Sequence, residues 1–150
     1  MFMSTQLNEV WTKAIKRRVN LVWQPKLVNV LVPEEQRHSK DYSSWFEVRV
    51  VNLRFRELTH GCWRASFEIS ILVISPESDN IYTHDERSGK AASTMVGCFT
   101  FSSAGLVHFQ RVREDDVQIR NLARRSQGSI IFDYEVIAKY QGDFEHGQIT

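Results

Sequence analysis

The chain has 150 residues, with 19 Lys or Arg against 18 Asp or Glu and a formal net charge of +1. Apolar residues make up 42% and charged residues 25%, which is ordinary globular usage and excludes a wholly disordered, collagen-like or low-complexity chain. The balanced charge also argues against an autonomous nucleic-acid binder, whose affinity rests on a marked basic excess.

The first element is an amphipathic helix. Leu7, Val10, Trp11, Ala14, Ile15 and Val19 recur at three- and four-residue steps and form one apolar stripe. Ser4 or Thr5 can cap its start. Lys13, Lys16, Arg17 and Arg18 crowd its final turns, where cations favour the helix dipole. Pro25 follows, and Lys26 to Val32 reads as a short strand between Pro25 and Pro33. Residues 33–44 are polar and aperiodic and read as a long loop.

Trp45 to Leu58 reads as a long strand. Phe46, Val48 and Val50 share a face, and after Val51 the apolar phase moves to Val51, Leu53 and Phe55, as a β-bulge would produce. Thr59-His60-Gly61 is a turn. Trp63 to Ile74 then alternates apolar and polar, so the two strands form a hairpin with one half-buried face. Residues 75–88 read as a second long polar loop, and Ala91, Ala92, Met95, Val96 and Phe99 fit a short helix. Leu106 to Val112 reads as a strand, Glu114-Asp115-Asp116 as a charged turn, Val117 and Ile119 as the start of another strand, and Asn121 to Gly128 as a loop or helical turn. Ile130 to Tyr140 alternates throughout and is the last strand.

This order, α-β-β-β-α-β-β, predicts an α+β fold with a mixed or antiparallel sheet and two α-helices packed on one face. Length gives a single domain, residues 1–150, with a core over about 5–140 and a frayed tail at 141–150. No apolar run approaches the roughly 18 residues of a membrane span. The N-terminus lacks the order of a secretion signal. The expectation is a soluble, intracellular chain with no membrane partner. Cys62 and Cys98 make no CxxC or zinc spacing. Two buried reduced thiols are the plain expectation, and a disulfide between them is the alternative.

The pattern offers no catalytic residue, no cofactor and no metal. His38, His60, His84, His108 and His146 lie too far apart in sequence for an HExxH-like pair. No GxGxxG, phosphate loop or GxSxG elbow is present, and Ser88-Gly89-Lys90 is only a fragment of a phosphate loop. Basic residues cluster at Lys16-Arg17-Arg18 and at Arg111, Arg113, Arg120, Arg124 and Arg125. If Arg111 and Arg113 share a strand face beside Phe109, that face could meet phosphates and stack bases.

The element order resembles the tail terminator (tail completion) proteins of long-tailed bacteriophages, and related neck and head–tail joining proteins. The resemblance is carried by five stretches over residues 5–140. These are the amphipathic first helix, the aromatic strand Trp45-Phe46-Glu47-Val48-Arg49-Val50, and the strand from Trp63 that ends at Val73-Ile74-Ser75-Pro76. The helix at about Arg87 to Cys98 and the closing strand Ile130 to Tyr140 complete it. The resemblance implies a structural virion protein, made in the host cytoplasm and not an enzyme. It implies a ring of copies, typically a hexamer, that stops growth of the tail tube and presents a surface to the head–tail connector. Its partners would be itself, the tail tube protein and the connector or neck protein, with nucleic acid not the main partner. Charges in the loops are then the candidate interface: Glu77, Asp79, Asp85, Glu86, Arg87 and Lys90 first, Arg17 and Arg18 of the first helix second. Two alternatives stand beside it: a nucleic-acid-binding α+β module on the basic sheet face, and a small cytosolic enzyme with an unrecognised pocket.

Overall fold

A computed structural model describes residues 5–27, 30–31, 45–74, 81–97, 100–102, 106–126 and 129–149. Helix α1 (Thr5–Trp23) leads into the short strand β1 (Val30–Leu31). The hairpin β2 (Trp45–Thr59) and β3 (Cys62–Ile74) follows, then α2 (Ile81–Met95). A small antiparallel ribbon, β4 (Thr100–Ser102) and β5 (Leu106–His108), precedes a 3-10 turn at Glu114–Asp116. Strands β6 (Gln118–Ser126) and β7 (Ser129–Glu145) close the chain. The main sheet runs β1-β2-β3-β7-β6, with β1 parallel to β2 and every other pair antiparallel. The sheet is therefore mixed, as the α+β expectation allowed.

Alternation decides which face is buried. Trp63, Ala65, Phe67, Ile69, Ile71 and Val73 of β3 face the core, as do Val136, Ala138, Tyr140 and Phe144 of β7. Both helices cover this one face. Trp11 of α1 meets Phe55, Trp63 and Phe144 edge-on, with ring centroids 5.2, 5.2 and 5.0 Å away. Ala91 and Met95 of α2 are buried in the same cluster. The Trp23 indole N–H donates to Thr94 Oγ1 at 3.1 Å and ties α1 to α2. The hairpin turns at His60-Gly61, where Gly61 takes a φ of 83°. The phase shift after Val51 is a β-bulge: Val51 opposes Glu68 and Arg54 opposes Ser66, leaving one extra residue on β2. Asn52 occupies it at a φ of 55°.

Several expectations need correction. Helix α1 runs on to Trp23, so Lys16, Arg17 and Arg18 sit in its body rather than its last turn. Val10, placed on the buried stripe, is 45% exposed. Lys26 lies in a turn, with its ammonium over the Trp23 ring, and Leu27 in a bend, so the predicted strand does not start at Lys26; its described part is Val30–Leu31. Residues 81–88 are helical, not loop. In the first turns of α2 the described residue that is buried is Ser88, 5% exposed, whose hydroxyl donates to the Asp85 carbonyl. A small polar residue in the inward row hides the helical period. Residues 121–126, read as a loop, belong to β6, where pairing with β7 overrides weak strand propensity.

The C-terminal tail is ordered against the core. Strand β7 continues to Glu145, Phe144 is 3% exposed and Ile149 is fully buried. The apolar row looks broken at Gly142, but this glycine is where the Phe109 ring fits. A Cβ there would stand 2.6 Å from Phe109 Cδ1 and 3.0 Å from the His108 carbonyl oxygen. The predicted strand to Val112 is accordingly irregular after His108, with isolated bridges from Phe109 to Gly142 and from Val112 to Gly97. The loop 33–44, residues 75–80, Cys98 and the Phe132 side chain lie outside the described residues. Cys62 is a half-buried free thiol.

Candidate interaction surface

The eight candidate interface charges separate into three groups. Glu77 and Asp79 lie outside the described residues. Asp85, Glu86 and Lys90 stand exposed on α2, and Arg17 stands exposed on α1. Arg87 and Arg18 turn inward. The Arg87 guanidinium donates to the Ile74 and Trp45 carbonyl oxygens, each at 3.0 Å, and lies 4.6 Å from the Phe46 ring centroid. It closes the open end of the β2–β3 hairpin, where Trp45 and Ile74 are opposite each other. Arg18 Nε donates to the Thr100 carbonyl at 3.3 Å and fastens α1 to β4. Both arginines are structural, a role that their polar sequence neighbourhood did not signal.

Asp85 accepts a hydrogen bond from the Tyr134 hydroxyl at 2.9 Å. That bond to a carboxylate, reinforced by partial burial and by the negative charge, raises the Tyr134 pKa above its ordinary value. Glu86 and Lys90 are four residues apart on α2 and share an exposed face. The sequence brings these charges onto one helix, while Arg17 stands on the other.

The opposite face of the sheet carries a charge mosaic. Arg64 grips Asp143 with two bonds, Nε to Oδ1 at 2.8 Å and Nη2 to Oδ2 at 3.2 Å. The hydrogen bonds from Arg64, with its charge and that of Arg56, hold the Asp143 carboxyl below the usual range. Glu135 is shared between Arg120 and the Ser70 hydroxyl, and Asn52 donates to Glu68 at 2.9 Å. A shallow concavity of about 450 Å³ opens here, lined by Asn52, Arg54, Ser66, Glu68, Lys139 and Gln141 among others. Acids and bases interleave across the face, so it presents no single sign to a polyanion.

The basic patch imagined for nucleic acid does not assemble as read. Arg111 and Arg113 are exposed, but Phe109 is 2% exposed and packs at 5.1 Å against Phe67, so it cannot stack a base. Trp11 and Trp63 are buried, and the Trp45 indole N–H donates to Glu47. Among the described residues no three His, Cys, Asp or Glu converge to hold a metal, and no helix is long and apolar enough to cross a membrane.

Sequence reasoning gave no role to several exposed groups. Leu21 is 61% exposed, Ile119 is 48% exposed, and Glu114, Asp115 and Asp116 all face solvent. Leu21 lies seven residues beyond buried Ala14, at the edge of the stripe of α1, so periodicity alone did not mark it as exposed.

No protein-family model and no curated protein matches the chain. Several solved structures match; one of them aligns over 95% of this chain and 96% of its own length, with a TM-score of 0.45 and 13% identity. Likeness that distant carries no argument about function.

Proposed function

We propose that this chain is a structural protein of a phage tail or neck, a subunit of a ring that caps the tail tube and meets the head connector. The sequence resemblance is the starting point. The observation that carries the reading further is the division of charge in α2. Arg87 is committed to the fold, while Asp85, Glu86 and Lys90 of the same helix face outward. The outward charges are worth little to stability, so they are free to set specificity and rate of association with neighbouring subunits. Subunits of a ring need such surfaces, because a closed ring is built from heterologous contacts repeated around an axis.

The test is assembly on tubes. Tail tube protein is polymerised with and without this chain and imaged by negative stain. The expected result is a ring at tube ends and shorter tubes. Tubes of unchanged length with bare ends overturn the proposal. The nucleic-acid reading predicts steeply salt-dependent retention on heparin, and burial of Phe109 removes the stacking group it relied on.

A further inference from the structure

The helical layer stops short of one sheet edge. Helix α1 packs along β2, and α2 packs on β7 and β3. Strand β6 lies beyond β7 as the edge strand. Ile119 pairs with Val136 and Asn121 pairs with Tyr134, so both side chains rise on the helix side of the sheet. Val136 is fully buried there, yet Ile119 is 48% exposed and Asn121 is exposed as well. These residues form a shelf beside α2. Its surroundings are acidic. Asp85, bonded to Tyr134, and Glu86 stand exposed on α2, and the exposed Glu114–Asp116 turn immediately precedes the strand.

The β2 end of the sheet carries a surface of the opposite kind. On α1, Val10 is 45% and Leu21 is 61% exposed. They lie about three turns apart and therefore on one row. Exposed Lys13 and Arg17 flank that row. This face is apolar and basic where the shelf is apolar and acidic.

We infer that the outward face of α1 in one copy docks on the β6 shelf of a second copy, as a third helix of its helical layer. Leu21 covers Ile119, Val10 seats about 16 Å further along the same row, and Lys13 and Arg17 between them meet the acids of α2 and of the Glu114–Asp116 turn. Exposed Arg111 and Arg113, just before the acidic turn, repel the helix if it slides, which fixes its register. The two patches lie at opposite ends of one sheet, so each contact leaves one patch of each kind available. The contact is heterologous and either closes or extends. The inference deepens the ring reading and rests on it for closure rather than extension.

Sedimentation velocity of the purified chain in low salt, at concentrations up to about 1 mM, tests this. The expected result is mass that rises with concentration and falls as salt is added. K13E/R17E and E114K/D115K should each be monomeric with unchanged melting. An equimolar mixture should associate again, because each reversed patch then complements the other. Leu21→Asp and Ile119→Asp should weaken association at least tenfold without charge reversal. A wild-type monomer at every concentration overturns the inference, as does association that survives both reversals or a mixture that stays monomeric. If the reversed variants still cap tubes, this surface is wrong while the ring reading stands. If the wild type associates as described but leaves tubes bare, the ring reading falls and the surface stands.

Discussion

Arg87 shows how one side chain can be polar in sequence and structural in space. Its two bonds to strand carbonyls and its stacking on Phe46 hold the hairpin end against α2. Arg87→Ala leaves both carbonyls without that donor and should cost about 2 kcal/mol, read by chemical denaturation. Arg87→Lys should recover only part of it, because an ammonium lacks the planar fork. Unchanged stability in both variants would show the clasp is unimportant. Tyr140 gives a pH dependence. Its hydroxyl donates to the Met95 carbonyl at 3.1 Å, and burial pushes its pKa far above the ordinary value. The native state therefore holds the proton more tightly than the unfolded chain. Stability from this group is full below about pH 10, the unfolded pKa, and is lost as pH rises beyond it. Tyr140→Phe should cost about 1 kcal/mol at neutral pH and flatten the alkaline loss. Equal alkaline slopes in the two proteins would contradict that.

At the scale of elements, β3 and β7 form the spine. Phe67 stacks on Tyr140 at 5.6 Å and meets Phe109 edge-on. Removing its ring should cost about 3–5 kcal/mol through lost transfer and a cavity. Domains of this size hold only about 5–15 kcal/mol in total, so Phe67→Ala should lower both the melting temperature and soluble yield. A melting temperature that does not move would mean β3 is misplaced. Gly142 marks the meeting of β7 with the segment after β5. Gly142→Ala forces the Phe109 ring or the His108 carbonyl to shift and should cost about 1–3 kcal/mol by overpacking. A neutral Gly142→Ala in thermal melts would show the ring has room to yield.

For the whole molecule, fold and assembly draw on different residues. The core takes the inward rows of both helices and the odd-numbered row of β3. The outward charges of α2 stand clear of it. Reversing Glu86 and Lys90 together, Glu86→Lys with Lys90→Glu, should leave melting within about 1 kcal/mol of wild type. The same pair should reduce incorporation into tails, measured as copies per particle. Full incorporation with normal melting would remove α2 from the interface. One layer of helices on one face of a sheet explains why the other face can be a charge mosaic, since alternation sends every second residue to water.

Local periodicity was enough to find α1, the β2–β3 hairpin with its bulge and turn, the main run of β7, and hence the α+β class. Each of these carries its signal in near neighbours: a stripe at 3.6 residues, alternation at two, a phase shift of one. What sequence alone could not place depends on partners far along the chain. The first turns of α2 turn a serine inward, and the stretch of β6 from Asn121 onward is strand because β7 offers it a ladder, where the sequence marked only a strand start at Val117 and Ile119. Gly142 extends β7 because Phe109 fills the space its absent side chain leaves. The charges divide the same way. Composition shows that Arg18, Arg87, Glu86 and Lys90 are ionic, but only packing decides that the two arginines bind carbonyls inside the fold while the other pair faces outward. Hydrogen-bond partners and burial are properties of three-dimensional neighbours, and those neighbours are set only when the helices close over the sheet.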